Sequence, residues 1–177
     1  MEIEIGRAKR ARRAYAFDDI AVVPSRRTRD PEDVSVSWGI DAYQFSIPFL
    51  AAPMDSVVSP TTAIMMGQLG GLGVLDLEGV WTRYEDPEPL LAEIRELSAD
   101  KATRRMQEIY AEPIKPELVT RRLAEIREGG VTVAGALSPQ RTQELYQTVV
   151  EAGVDLFVIR GTTVSAEHVS KSVEPLN

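Results

Sequence analysis

Four short apolar runs recur along the chain with helical patterns between them: IPFLAA (47–52), GLGVLD (71–76), VTVAGAL (131–137) and VDLFVI (154–159). A strand that is apolar on successive residues has both faces buried, which parallel strands joined by crossover helices achieve. The pattern therefore predicts βαβ units and a parallel sheet. Before the first run, VSVSW (34–38) and YQFSIP (43–48) flank GID, whose Gly39 suits a tight connection. That predicts a small hairpin at the base of the sheet, an accessory rather than a layer.

The helices between the runs are punctuated by residues with local physical reasons to be there. Ser59 can cap and Pro60 can open PTTAIMMGQLG, while Gly70 or Gly71 can take the left-handed conformation that ends it. SPQRTQELYQTVVEAG repeats the logic, with Ser138 as cap, Pro139 in the first turn, Leu145, Val149 and Val150 on one face, and Gly153 as the stop. Between them, 78–130 form a longer polar insertion in which DPEPLLAEIREL, KATRRMQEIY and KPELVTRRLAEIREGG carry helical spacing. Two or three surface helices are expected there.

Two α/β folds compete for this pattern. An open doubly wound sheet normally announces itself by glycines after a strand and before a helix, but the glycines of GQLGGLGV precede a strand and read as a helix-to-strand turn. The other fold is a (β/α)8 TIM-type barrel, which takes about 250 residues. In 177 residues only the first four βα units are present, leaving an open edge after Ile159, and Pro175 stands where a further helix would start. The expectation is the N-terminal half of one barrel domain, with 1–46 as arm and hairpin and 47–177 as strands one to four with their helices.

Composition narrows the function classes. A net charge of −7 repels nucleic acid and anionic membrane. No apolar run reaches the roughly 20 residues of a membrane span, and the N-terminus lacks a signal-peptide centre, which gives a cytoplasmic location by default. With no cysteine there is no disulfide, thiolate metal cage or cysteine nucleophile in these residues. His168, the only histidine, excludes a multi-histidine metal site and reads as a surface loop residue. Arg7, Lys9, Arg10, Arg12 and Arg13 form a basic cluster, read as a solvated N-terminal arm.

In a parallel barrel, chemistry sits where strands end. The rim residues to weigh are 52–56, 76–78, 136–138 and 160–163. Met54 could lie against a flat heteroaromatic ring or simply pack under the next loop. Asp55 could orient a ligand or stabilise the following helix N-terminus. Asp76 and Glu78 could form a carboxylate pair for acid–base work. Arg160, at the end of an apolar strand, should contact an anion or pair with an acid.

In order along the chain, YAFDDIAVVPSRRT (15–28), IPFLAAPMDSV (47–57) and GGLGVLDLEG (70–79) resemble the opening of the IMP dehydrogenase and GMP reductase family. VTVAGAL and EAGVDLFVI resemble its third and fourth strands. The closest likeness is to short bacterial IMP-dehydrogenase-related paralogues. Larger members insert a pair of CBS modules after the second βα unit; the helices at 78–130 take that place here, leaving no room for one.

The resemblance implies a β/α barrel that acts on a purine nucleotide, IMP or GMP, with NAD or NADP. IMP-dehydrogenase-type oxidation is the first expectation, GMP reduction the second, and a catalytically silent nucleotide-binding regulator the third. A tetramer or octamer is also implied. Met54 matches the family methionine that touches the nucleotide, and Ala52 stands where dehydrogenases carry a nearby serine. The family's catalytic cysteine lies in the second half of the barrel, so no catalytic residue is expected in this chain, nor turnover by it alone. Two departures stand out. Asp76 and Leu77 replace the histidines that follow the second strand, and RGT, comprising Arg160, Gly161 and Thr162, replaces the Asp-Ser-Ser that contacts the nicotinamide end of the cofactor. Arg160, Gly161, Thr162 and Asp76 are therefore the candidate cofactor-binding residues.

Overall fold

A computed structural model describes residues 2–7, 9–24 and 27–161. Thr162, Thr163, His168 and Pro175 lie outside the described residues. The chain divides into two compact units, 1–35 and 36–177.

In the first unit, β1 (Glu2–Gly6) pairs antiparallel with β2 (Lys9–Arg12). The register sets Glu2 opposite Arg12 and Glu4 opposite Arg10. Part of the basic cluster expected as a plain solvated arm is thus one strand of a hairpin. Among the described residues that follow, Phe17–Asp19 and Pro31–Asp33 form single 3-10 turns.

The second unit begins with the hairpin β3 (Trp38–Ile40) and β4 (Tyr43–Phe45). It forms as expected, but the turn is at Asp41 and Ala42 rather than at Gly39. Gly39 pairs with Gln44 inside the ladder, and Asp41 takes the left-handed φ of 52°. Aspartate tolerates that region because its short side chain can bond locally. Four parallel strands follow, interleaved with helices: β5 (Leu50–Ala51), α1 (Pro60–Gln68), β6 (Leu72–Asp76), α2 (Glu88–Glu96), α3 (Ala99–Ala111), α4 (Pro116–Glu128), β7 (Ala134–Leu137), α5 (Pro139–Glu151) and β8 (Leu156–Ile159). The strand order is β5-β6-β7-β8.

That order never reverses, so the sheet has no switch point of the doubly wound kind. Because βαβ crossovers are right-handed, a steady progression puts every crossover helix on one face. α1 packs on β6, α5 on β7, and α4 lies between α1 and α5. The sheet's side chains divide by parity. Leu75, Val133 and Leu137 join the helix-side core with Val119, Leu123 and Ile126 of α4. Leu72, Val74, Ala134 and Ala136 face the other way and are covered at their N-terminal end by Phe45, Trp38 and Tyr43 of the hairpin. The hairpin is therefore a plug for one face of the sheet. Tyr43 also donates from its hydroxyl to Asp155 (3.1 Å), whose other carboxylate oxygen accepts from Val133 N–H (2.8 Å).

β5 has only two paired residues where a run of six was expected. Pro48 and Pro53 bracket it and lack the N–H a ladder needs. The expected caps hold: Ser59 accepts from Thr62 N–H (3.1 Å), Ser138 from Arg141 N–H (3.3 Å), and Gly70 and Gly153 take φ of 91° and 76°.

The three insertion helices are not alike. α2 has no fully buried residue and α3 has only Ile109, as surface helices should. α4 differs, because Leu118, Val119, Leu123 and Ile126 are completely buried. At about 1.5–3 kcal/mol for each fully buried aliphatic side chain, it is a principal layer helix. The expectation of a surface helix there is corrected: α4 is the crossover helix of the second βα unit, and α2–α3 alone are the insertion.

Candidate functional site

The C-terminal ends of the four strands gather the rim residues picked out from the sequence. Leu72, Val74 and Asp76 alternate onto the face opposite the helices, and so do Leu156, Val158 and Arg160. In register, Ala136 of β7 pairs with Asp76 on one side and Val158 on the other. Its methyl leaves the space that the Arg160 side chain crosses. Arg160 Nη2 lies 3.2 Å from Asp76 Oδ2 as a donor in an ion pair, and Nη1 donates to Pro53 O at 2.7 Å. One guanidinium thus links the ends of β5, β6 and β8. Of the two readings open for Arg160, the acid pair is the one realised.

Asp76 is buried while Arg160 is partly exposed. Burial pushes the Asp76 carboxyl above its ordinary value; the Glu78 N–H and Arg160 oppose the shift without cancelling it. A carboxyl raised in the folded state contributes stability that is fully present below the ordinary carboxylate range and is lost as pH rises through the raised value. Asp76→Asn should therefore gain stability relative to the parent as pH rises from the ordinary carboxylate range through the raised value, since Asn is never charged. Paired unfolding curves across that range check this, and a difference that does not change with pH would refute it.

Asp76 and Glu78 do not form a carboxylate pair. Asp76 Oδ1 accepts from Glu78 N–H (3.0 Å), while the Glu78 carboxylate turns away to accept from Ser138 N–H at the start of α5. The Glu78 carboxylate thus serves the entrance of α5.

Met54 stands at the rim, 47% exposed. Its carbonyl accepts from Val57 and Val58 N–H, both at 2.9 Å, closing a turn that carries the chain into α1. Asp55 does not reach the α1 N-terminus. Its Oδ2 accepts from Val80 N–H (2.9 Å) and from the Tyr110 hydroxyl. It is a tie between the first rim loop, the turn after β6 and α3. Ala52 and Gly161 are exposed on the rim.

Over these loops the α2–α3 insertion folds back to border an open cleft of about 330 Å³. Its floor is Met54, Asp55, Asp76 and Arg160; its cover is Leu91 and Ile94 of α2 and Met106 and Tyr110 of α3. Arg83 holds the cover down, donating from Nε to Glu78 O (3.0 Å) and from Nη1 to Glu112 O, with its guanidinium 5.5 Å from the Tyr110 ring centroid. Tyr84 adds a bond from its hydroxyl to Ile109 O (3.0 Å). The sequence reading missed Arg83, Met106 and Tyr110. Arg83 sits in the turn after Val80–Thr82 and Met106 and Tyr110 on polar α3, with no local signal, and Glu112 and Asp55, which Arg83 and Tyr110 bond, are remote in the chain. Among the described residues no three His, Cys, Asp or Glu side chains gather to hold a metal, and no helix is long and apolar enough to cross a membrane.

A parallel sheet with one helical face and a cleft at its strand C-termini is the arrangement of β/α folds whose ligand sites lie at a rim. Comparison with known proteins narrows this. The model of the IMP dehydrogenase / GMP reductase domain matches residues 14–177. An uncharacterized oxidoreductase of Mycolicibacterium smegmatis is 49% identical over 180 residues, covering 99% of this chain and 48% of that protein. An uncharacterized oxidoreductase of Mycobacterium leprae is 46% identical with the same coverage of each chain. The crystal structure of an IMP dehydrogenase/GMP reductase-like protein from Corynebacterium glutamicum superposes with a TM-score of 0.83 at 46% identity, covering 95% of this chain and 46% of that one. The inosine-5'-monophosphate dehydrogenase of Methanocaldococcus jannaschii is 40% identical over 65 residues, which are 37% of this chain and 13% of that protein. The chain belongs to the IMP dehydrogenase / GMP reductase family. It spans about half the length of the longer bacterial relatives.

Proposed function

We propose that this chain carries the first half of a (β/α)8 barrel in an IMP-dehydrogenase-related oxidoreductase that binds a purine nucleotide, IMP or GMP, and uses NAD or NADP. The observation that carries the reading is Met54, a large flexible thioether held half-exposed on a tied-down rim turn beside a cleft. Polarizable sulfur on an unbranched chain suits the face of a purine base. Ala52, at the end of the same strand, leaves room beside it. In the complete protein, Met54→Ala should weaken IMP or GMP binding by about 1–3 kcal/mol from lost burial. Calorimetry that finds unchanged affinity returns Met54 to packing.

The cleft also fits the flat end of a nicotinamide cofactor. Met106, Tyr110 and Ile94 offer an apolar wall, and Arg160 and Asp76 offer a donor and an acceptor at its foot. When bound, the nicotinamide would accept or deliver the hydride. Gly161 and Thr162, next in the chain, are assigned to the same end of the site by their place in the family motif. A reductase acting on GMP would use the same groups.

The Arg160–Asp76 pair favours a second reading. Two groups neutralised by one another at a cofactor position describe a nucleotide-binding regulator without turnover. Purified complete protein that binds IMP yet produces no NAD(P)H, and oxidises none with GMP, would select it. A homo-oligomer working in the cytoplasm fits either reading.

A further inference from the structure

We propose that Tyr110 is a positioning residue for the nucleotide rim: its hydroxyl fixes the Asp55 carboxylate, and through it the turn that presents Met54. The proposal rests on Met54 being a nucleotide contact.

Asp55 directly follows Met54, so the two share a peptide unit, and the Met54 carbonyl is the hub of the turn through Val57 and Val58 N–H. What holds Asp55 therefore sets where Met54 points. Its Oδ2 takes two donors from different elements, the backbone of Val80 after β6 and the phenol of Tyr110 on α3. Its Oδ1 is buried with no hydrogen-bond partner among the described residues. That oxygen faces Gly79, where a Cβ would lie only 2.0 Å away. The carboxylate is thus wedged on one side and held by two donors on the other, and loss of one donor leaves a poorly satisfied buried acceptor.

Tyr110 is itself fixed. Arg83 stacks on its ring while bonding Glu78 O and Glu112 O, so the phenol is aimed from a braced platform. Burial and the Asp55 and Asp76 carboxylates push its pKa above the ordinary tyrosine value, which keeps it a donor. α2 has no fully buried residue and α3 has only Ile109, with Leu90, Leu91 and Ile94 of α2 packed partly buried against the core. Arg83 and Tyr84 tie α3 to the turn after β6, and the Tyr110 hydroxyl ties it to the first rim loop.

Tyr110→Phe in the complete protein keeps the ring and removes only the hydroxyl. Binding of IMP and GMP, followed by calorimetry, should weaken about 10-fold, the usual loss for one hydrogen bond to a charged group. KM should rise more than kcat falls, and amide exchange across 54–58 should quicken. In a double-mutant cycle with Met54→Ala, Tyr110→Phe should add little once the thioether is gone. A purely structural role would lower the unfolding midpoint and leave the split between KM and kcat as in the parent. If Met54→Ala weakens binding but Tyr110→Phe does not, or if Tyr110→Phe weakens it equally in both backgrounds, the positioning role is overturned by itself. If Met54→Ala leaves affinity unchanged, the nucleotide reading falls and this role falls with it.

Discussion

Gly73→Val should destabilise the protein by about 3 kcal/mol, the upper end of what overpacking a filled core costs. Gly73 lies inside β6 on the face that α1 covers, and even a Cβ there would stand 2.5 Å from Ala63 Cα and 3.0 Å from Ala63 Cβ. Ala63 is buried, and the obstruction is helix backbone that has no rotamer to change. The strand and α1 would have to separate, which moves Asp76, at the end of the same strand, away from Arg160. Urea unfolding of Gly73→Ala and Gly73→Val should show a graded loss, the valine larger. A valine variant with the parental midpoint would mean that the close approach of β6 and α1 is wrong.

Arg122→Ala should cost about 3–5 kcal/mol, the range for removing one partner from a buried charged network. The side chain is 8% exposed on α4 and donates from Nε to Trp81 O (3.0 Å) and from Nη2 to Tyr84 O (3.2 Å) and Glu85 O (2.6 Å). Nη1 pairs with Glu125 at 2.8 Å, and the guanidinium lies 5.5 Å from the Trp81 ring centroid. One residue thus satisfies three carbonyls of the segment through which the chain leaves the rim for the insertion. Lysine cannot reproduce a planar fork, so Arg122→Lys should recover less than half of the loss. Limited proteolysis should nick 81–86 first in the alanine variant. A lysine variant as stable as the parent would show that the fork is dispensable.

Both changes act far from Met54 in sequence, yet both bear on the rim, and that contrast marks what was legible beforehand. Ser59, Pro60 and Gly70 announced α1, and Ser138, Pro139 and Gly153 announced α5, because a cap needs only neighbours along the chain. The apolar runs located all four strands but overstated β5, where Pro48 and Pro53 remove donors that an apolar count ignores. Gly39 misplaced the β3–β4 turn because an aspartate took the left-handed position instead. α4 looked like a surface helix because charged residues outnumber its apolar stripe; Arg122 is one of them, and it is buried because three carbonyls await it.

The sequence by itself determined the strand-and-helix alternation, the helix boundaries, and, through the order of its motifs, the family; each depends on spacing or on side chains bonding within one turn. It also put Met54, Asp76 and Arg160 at strand ends. Only the tertiary structure decided what those residues do to one another. Asp76 meets Arg160 across 84 positions and Asp55 meets Tyr110 across 55. Such meetings follow from sheet register, from the small Ala136 between two strands, and from where α3 comes to rest over the rim. These are properties of packing in three dimensions, and local spacing does not encode them.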